Sequence, residues 1–96
     1  MEDKFAHYFK VFSDPQRLEI IRLLIQGETC GCTLIEKLPI SQPTLSYHLK
    51  IITKAGLATT KREGNWIKHF IVKEKIDEMI IFLQGLKDME MTQCSL

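Results

Sequence analysis

The sequence predicts a mainly α-helical domain with one small β-hairpin: five helices and two strands, the hairpin falling between the fourth and fifth helices. Three observations predict it. Apolar residues recur at helical spacing in five separate stretches. Capping and stop residues stand between those stretches: Ser13-Asp14-Pro15, Gly27, Pro39, Ser41 and Gly56. After Gly56 the chain changes to β-branched and aromatic residues on both sides of Glu63-Gly64-Asn65, which are turn residues.

The first helix is expected over residues 3–12. Phe5, Phe9 and Phe12 make its stripe, with Tyr8 beside it. That aromatic load suits core packing or a partner surface. Ser13 and Asp14 cap a second helix that starts at Pro15 and ends at Gly27. Leu18, Ile21 and Ile25 form its main stripe, and Ile20 and Leu24 widen it, which makes it central to the core. Thr33 is expected to cap a short third helix containing Leu34, Ile35 and Leu38, closed by Pro39.

Residues 41–56 form the fourth helix. Ser41 is the N-cap, and Pro43 falls in the first turn, where its missing N–H costs least. Leu45, Leu49 and Ile52 make a buried stripe. At about 100° per residue, Pro43, Tyr47, Lys50 and Lys54 lie on the opposite face, flanked by Thr44 and Ser46. Residues 57–62 and 66–72 are the two strands. The last helix covers residues 74–90, with Ile76, Met79, Ile80, Leu83 and Leu86 on one stripe. Ile81 and Phe82 widen that stripe beyond what a small core needs. Thr92 to Leu96 reads as a frayed tail.

Two helices joined by a short turn, the second with a polar outer face, have the outline of a helix-turn-helix. The outer face of the fourth helix carries hydroxyls, an amide, a phenol and lysines, and no carboxylate. A duplex major groove asks for such a face: donors for base edges and cations for phosphates. The hairpin that follows is then a wing. Gln42, Thr44 and Ser46 are the candidates for base contacts, together with Tyr47 and His48, which could instead serve phosphates; Ser41 at the helix start belongs to the same DNA-binding set. Lys50, Lys61, Arg62 and Lys68 are the candidates for phosphates.

Charge supports one anion-binding face. The net charge is only +1, but residues 41–73 hold six Lys/Arg against Glu63 alone, between acidic flanks. The 96 residues make one domain, and a core of that size leaves oligomerisation as a plausible supplement. The N-terminus has no secretory pattern, and no apolar run approaches the roughly 18 residues of a membrane span. Three cysteines, an odd number, argue against a disulfide framework and for a reduced, cytoplasmic protein. No nucleophile–base set, phosphate-binding glycine loop or paired-carboxylate cleft is visible, so no enzyme is expected.

Cys30 and Cys32 are the remaining chemical feature. Thiolate sulfur selects soft, thiophilic ions. On an ideal helix residues two apart differ by about 200°, so the pair can chelate one ion only where the backbone is irregular or made so.

The chain resembles the ArsR family of winged-helix metalloregulatory repressors. The resemblance is carried by Ser13-Asp14-Pro15-Gln16-Arg17-Leu18, Cys30-Gly31-Cys32, the run from Ser41 to Leu49, and the wing with Glu63-Gly64-Asn65. It covers residues 3 to about 88, and Cys-x-Cys before the third helix points to the arsenic-sensing branch. The resemblance implies a homodimer paired through its first and last helices, bound to an inverted repeat in operator DNA. It further implies release from DNA when As(III) or Sb(III) binds Cys30 and Cys32. Ile35 stands where many relatives have a third cysteine, and Cys94 is a possible third donor. The last helix has Asp77 and Glu78 but no histidine, so the zinc site of another branch does not carry over. The alternative function is the same fold acting as a thiol-based redox sensor, although a disulfide between residues two apart is strained.

Overall fold

The computed structural model describes residues 2–91, and the side chains of 3–91. The tail from Thr92, with Cys94, lies outside the described residues. The element order is α1 (Glu2–Phe12), α2 (Pro15–Ile25), α3 (Gly31–Lys37), α4 (Gln42–Lys54), β1 (Ala58–Glu63), β2 (Trp66–Ile71) and α5 (Lys73–Lys87). This is the expected winged helix-turn-helix: α3 and α4 are the helix pair, and β1 and β2 form the wing.

Local chemistry sets the helix ends. The Asp14 carboxylate accepts from the amides of Gln16 and Arg17 at 2.8 and 3.1 Å and starts α2. The Ser41 hydroxyl oxygen accepts from the Thr44 amide at 3.3 Å and starts α4. At the end of α4, Gly56 takes φ +82°, the Gly56 N–H bonds Thr53 O, and the Leu57 N–H bonds Ile52 O. That is a Schellman closure, which needs a residue free to adopt the left-handed conformation. α2 ends in the same pattern around Gly27.

The wing is antiparallel, with Ala58 opposite Ile71, Lys61 opposite Lys68 and Glu63 opposite Trp66. Gly64 supplies the positive φ (+61°) that a two-residue hairpin of the II′ class needs at its first central position.

The third helix departs from expectation at its start. It begins at Gly31 with Cys30 as the N-cap residue, three residues before the expected cap. Thr33 lies inside the first turn, and its hydroxyl donates back to Cys30 O at 2.9 Å. The helix ends at Lys37, because Pro39 holds Leu38 in extended backbone.

The core gathers Phe5, Tyr8 and Val11 from α1, Ile20, Ile21, Leu23 and Leu24 from α2, Leu34 and Leu38 beside α4, and Leu45, Leu49 and Ile52 from α4. The second helix turns differently from its expected stripe. Leu18 and Ile25 are 47% and 41% exposed, and Leu23 is buried in their place. The packing of α1, α4 and β2 around α2 selects the Ile20/Ile21/Leu23/Leu24 face. α5 leans on α1 through Phe82, which stacks on Phe5 at 4.3 Å between ring centroids. Of the expected α5 stripe, Met79 is buried, while Ile80, Leu83 and Leu86 are exposed with Ile81. The molecule is long, 60 × 24 × 20 Å, with a radius of gyration of 16.5 Å. A compact chain of this length would have about 12–13 Å.

Leu34 is fully buried and ties the short α3 to the core. Leu34→Ala should cost about 2–5 kcal/mol, measured by urea unfolding at matched protein concentration. A loss under about 1 kcal/mol would mean that α3 is not anchored through this side chain.

Candidate nucleic-acid interface and thiol cleft

α4 presents its outer face as its spacing requires. Gln42, Pro43, Ser46, Tyr47, Lys50 and Lys54 are exposed, and Leu45, Leu49 and Ile52 are buried beneath them. The first turn has no acidic residue, so the positive end of the helix dipole is not neutralised there. Two of the candidate hydroxyls are partly engaged: Ser41 donates to Thr44 Oγ1 at 2.9 Å.

His48 is placed differently from its expected role beside Tyr47. It is 4% exposed, and both ring nitrogens are engaged inside the protein. Nδ1 lies 3.2 Å from an Arg17 guanidinium nitrogen, and Nε2 lies 2.9 Å from Gln16 Oε1. Guanidinium can only donate, so Nδ1 accepts and Nε2–H donates to the amide oxygen. Arg17 also donates from Nε to Val11 O at 2.8 Å, at the end of α1. His48 thus locks α4 to α2 and α1 instead of facing solvent. The Tyr47 ring packs edge-on against His48, with centroids 5.4 Å apart. The signal for this burial was in the sequence, since His48 falls between Leu45 and Ile52 at spacings of three and four. The Gln16 and Arg17 partners carry no such mark.

On the wing, Lys61 and Arg62 are exposed. Lys68 pairs with Glu63 at 2.8 Å. Lys61 and Lys68 stand directly opposite across the strands, and Glu63 relieves that like-charge contact. A groove of about 340 Å³ runs between α4 and the wing, lined by Ser46, Lys50, Lys54, Thr60 and Ile67 among others.

The cysteine pair lines a separate cleft, which shares Ser46, Leu49, Ile67 and His69 with this groove. Cys30 is extended (φ −94°, ψ 135°) and Cys32 is in the first turn of α3. The opposite-sides geometry of an ideal helix therefore does not apply, because one member of the pair is not helical. The Cys32 thiol and its backbone N–H, the thiol first, hold the Cys30 pKa below the usual thiol value; Thr33 N–H and the Lys68 charge add to this, against burial. The same hydrogen bond raises Cys32, reinforced by burial and by charge on Cys30. Cys30 is also joined to the wing. It bridges Lys68 in the antiparallel sense, and the His69 N–H donates to Thr29 O at 2.9 Å. His69 is half-buried, its Nδ1 has no hydrogen-bond partner, and burial lowers its pKa.

A cleft of about 560 Å³ opens over the two thiols. Ile35 lines it from α3, Gln42, Leu45 and Ser46 from α4, and Trp66 and Ile67 from β2. The sulfurs therefore share a space with the first turns of the exposed helix and with the wing. Among the described residues, no group of three or more His, Cys, Asp or Glu is placed to hold one metal ion. No helix of the described residues is long and apolar enough to cross a membrane.

Known proteins share this architecture. Residues 14–60 match the family described as bacterial regulatory protein, arsR family. An HTH-type transcriptional regulator of Methanocaldococcus jannaschii is 43% identical over 85 residues, covering 88% of this chain and 96% of that protein. The arsenical resistance operon repressor of Staphylococcus aureus is 43% identical over 76 residues, 75% of this chain and 73% of that one. Among solved structures, an ArsR-like transcriptional regulator from Rhodococcus sp. RHA1 superposes with a TM-score of 0.83 at 22% identity, over 88% of this chain and 78% of that one.

The two thiols should differ in reactivity, since the thiolate is the nucleophile. At neutral pH, limiting iodoacetamide should modify Cys30 before Cys32, as read by peptide mass spectrometry of the reduced protein. Modification of Cys32 first would place the shared proton on the wrong sulfur.

Proposed function

This chain belongs to the arsR family of bacterial regulatory proteins, and on that premise we propose that it is a transcriptional repressor released from operator DNA when As(III) or Sb(III) binds Cys30 and Cys32. The family makes it a DNA-binding regulator and not an enzyme. The observation that carries the sensing role is the placement of both thiols in one cleft with Gln42 and Ser46 of α4. Arsenical resistance operon repressors among its relatives favour the same inducer class.

The DNA-binding unit is a homodimer. Ile80, Ile81, Leu83 and Leu86 leave α5 with an apolar face that the monomer does not cover, and a second copy burying it gains the hydrophobic stabilisation that this elongated chain lacks. Two-fold pairing sets the α4 helices against the two halves of an inverted repeat. Gln42, Thr44 and Ser46 read base edges, with Ser41 and Tyr47 beside them. Lys50, Lys61 and Arg62 meet phosphates. Lys68 contributes less, because Glu63 already neutralises it. His48 acts from below, as a support for Tyr47 and the helix.

The switch is a matter of linkage. The inducer must bind the DNA-free conformation more tightly by the same factor by which it weakens DNA binding. Cys30 stands where α3, the segment before it and β2 meet. Pulling both sulfurs onto one ion alters residues 29–34, and with them the seating of α4 and the wing. A coupling of roughly 2–3 kcal/mol weakens DNA binding about 30- to 150-fold, enough for derepression.

Lys61→Ala should weaken binding to operator and random DNA alike and lower the salt slope by about one, with Lys68→Ala having the smaller effect. A Lys61→Ala loss confined to operator DNA would contradict the phosphate role of the wing.

Cys30→Ser and Cys32→Ser should bind DNA near-normally but no longer respond to As(III), since serine is a hard, protonated ligand. Fluorescence anisotropy of labelled operator with and without As(III) reads both effects. Release by arsenite from the double variant would remove the pair from the mechanism.

A further inference from the structure

We propose that Gln42 is the residue of α4 that discriminates between bases, and that the base it selects in each half-site is adenine. This rests on the DNA-reading role given to α4 above and names the feature of the duplex that it recognises.

The start of α4 leaves few groups free for this task. The N-terminal residues of a recognition helix are the ones that meet base edges. Of residues 41–49, Leu45, His48 and Leu49 are buried. His48 has both ring nitrogens engaged by Gln16 and Arg17. The Ser41 hydroxyl is engaged in the cap: it donates to Thr44 Oγ1 at 2.9 Å and accepts from Thr44 N–H at 3.3 Å. Thr44 is half-buried, and its oxygen receives that bond. Pro43 is exposed but has no N–H. Ser46 and Tyr47 are exposed, and each offers a single hydroxyl. A hydroxyl both donates and accepts, so it suits more than one base.

Gln42 differs from all of these. It is the first residue of α4 and is exposed, and its amide carries a donor and an acceptor side by side. In the major groove adenine shows an acceptor, N7, beside a donor, the N6 amino group. The amide matches that pair with two hydrogen bonds: its NH2 donates to N7, and its oxygen accepts from N6. Guanine shows two acceptors, N7 and O6, so the amide oxygen would meet another oxygen there. Residues 41–49 hold no Lys, Arg, Asp or Glu. The cation that reads guanine and the carboxylate that reads cytosine are therefore both absent from this end of the helix.

The test selects binding sites from a random duplex pool with the reduced full-length protein and with Gln42→Ala. Gln42 is exposed, so the variant should keep the parent's thermal midpoint. The parent should enrich sites with one invariant A·T pair in each half-site. That pair should become degenerate in the Gln42→Ala selection, while the other constrained positions stay as they were. On the parent's best site, replacing the A·T pair by G·C should weaken parental binding about 5- to 150-fold, the discrimination of a good bidentate pair, and leave the variant nearly unchanged. Substituting 7-deaza-adenine removes N7 alone, and it should weaken the parent but not the variant. No relaxed position in the Gln42→Ala selection, a relaxed position that is a G·C pair, or a 7-deaza-adenine penalty equal in the two proteins would overturn the proposal. A pool that yields no enriched sequence is a different failure: it would refute sequence-specific reading by α4, and this proposal with it.

Discussion

The structure depends on holding one helix firmly from a single side. α4 has to expose a polar face along its length, so everything that fixes its position must act on the other face. Leu45, Leu49 and Ile52 supply the apolar contact, but burial is non-directional and leaves a helix free to adjust by rolling. His48 adds direction. Its ring is held between Gln16 and Arg17 at hydrogen-bond distance, and Arg17 also reaches the last carbonyls of α1. Two donors and two acceptors with fixed geometry define the orientation that packing leaves loose. Ser41 and Gly56 then terminate the helix at both ends.

The same helix is exposed to change at one corner. Its neighbour α3 is short and begins at a residue that belongs as much to the wing as to the helix. Cys30 has extended backbone, pairs with Lys68 on β2, and caps the turn that contains Cys32. The thiols meet because of this break in secondary structure. α3 and the hairpin are therefore joined at this one residue. Lys68 illustrates the economy of the corner. It is a cross-strand neighbour of Lys61, the partner of Glu63, and a positive charge near Cys30.

At the far end, α1 and α5 form an aromatic joint. Phe82 stacks on Phe5 and tilts against Phe9, and Lys4 pairs with Glu78 at its edge. Beyond that joint α5 has few partners within its own chain, and its outward residues are large and apolar. A row of such residues on one helix is unusual for a monomer surface. α1, on which α5 leans, also accepts a hydrogen bond at Val11 O from Arg17, the support for His48.

By itself the sequence determined the element order, the helix stops and the polar outer face of α4. These follow from local rules: caps, prolines, glycines and a period of 3.6 act within a few residues of one another. It also marked the α5 face as too apolar for a small core, and it set Cys30 and Cys32 two residues apart. Only the tertiary structure decided which side of α2 faces inward, leaving Leu18 and Ile25 outside, because α2 is apolar around so much of its girth that periodicity offers several faces. It moved the start of α3 from Thr33 back to Cys30, since pairing with β2 stops the chain from turning helical any sooner. It took His48 from the solvent side to the core, where partners 31 and 32 residues away satisfy its nitrogens. Each of these outcomes rests on contacts between distant segments, and such contacts leave no periodic trace along the chain.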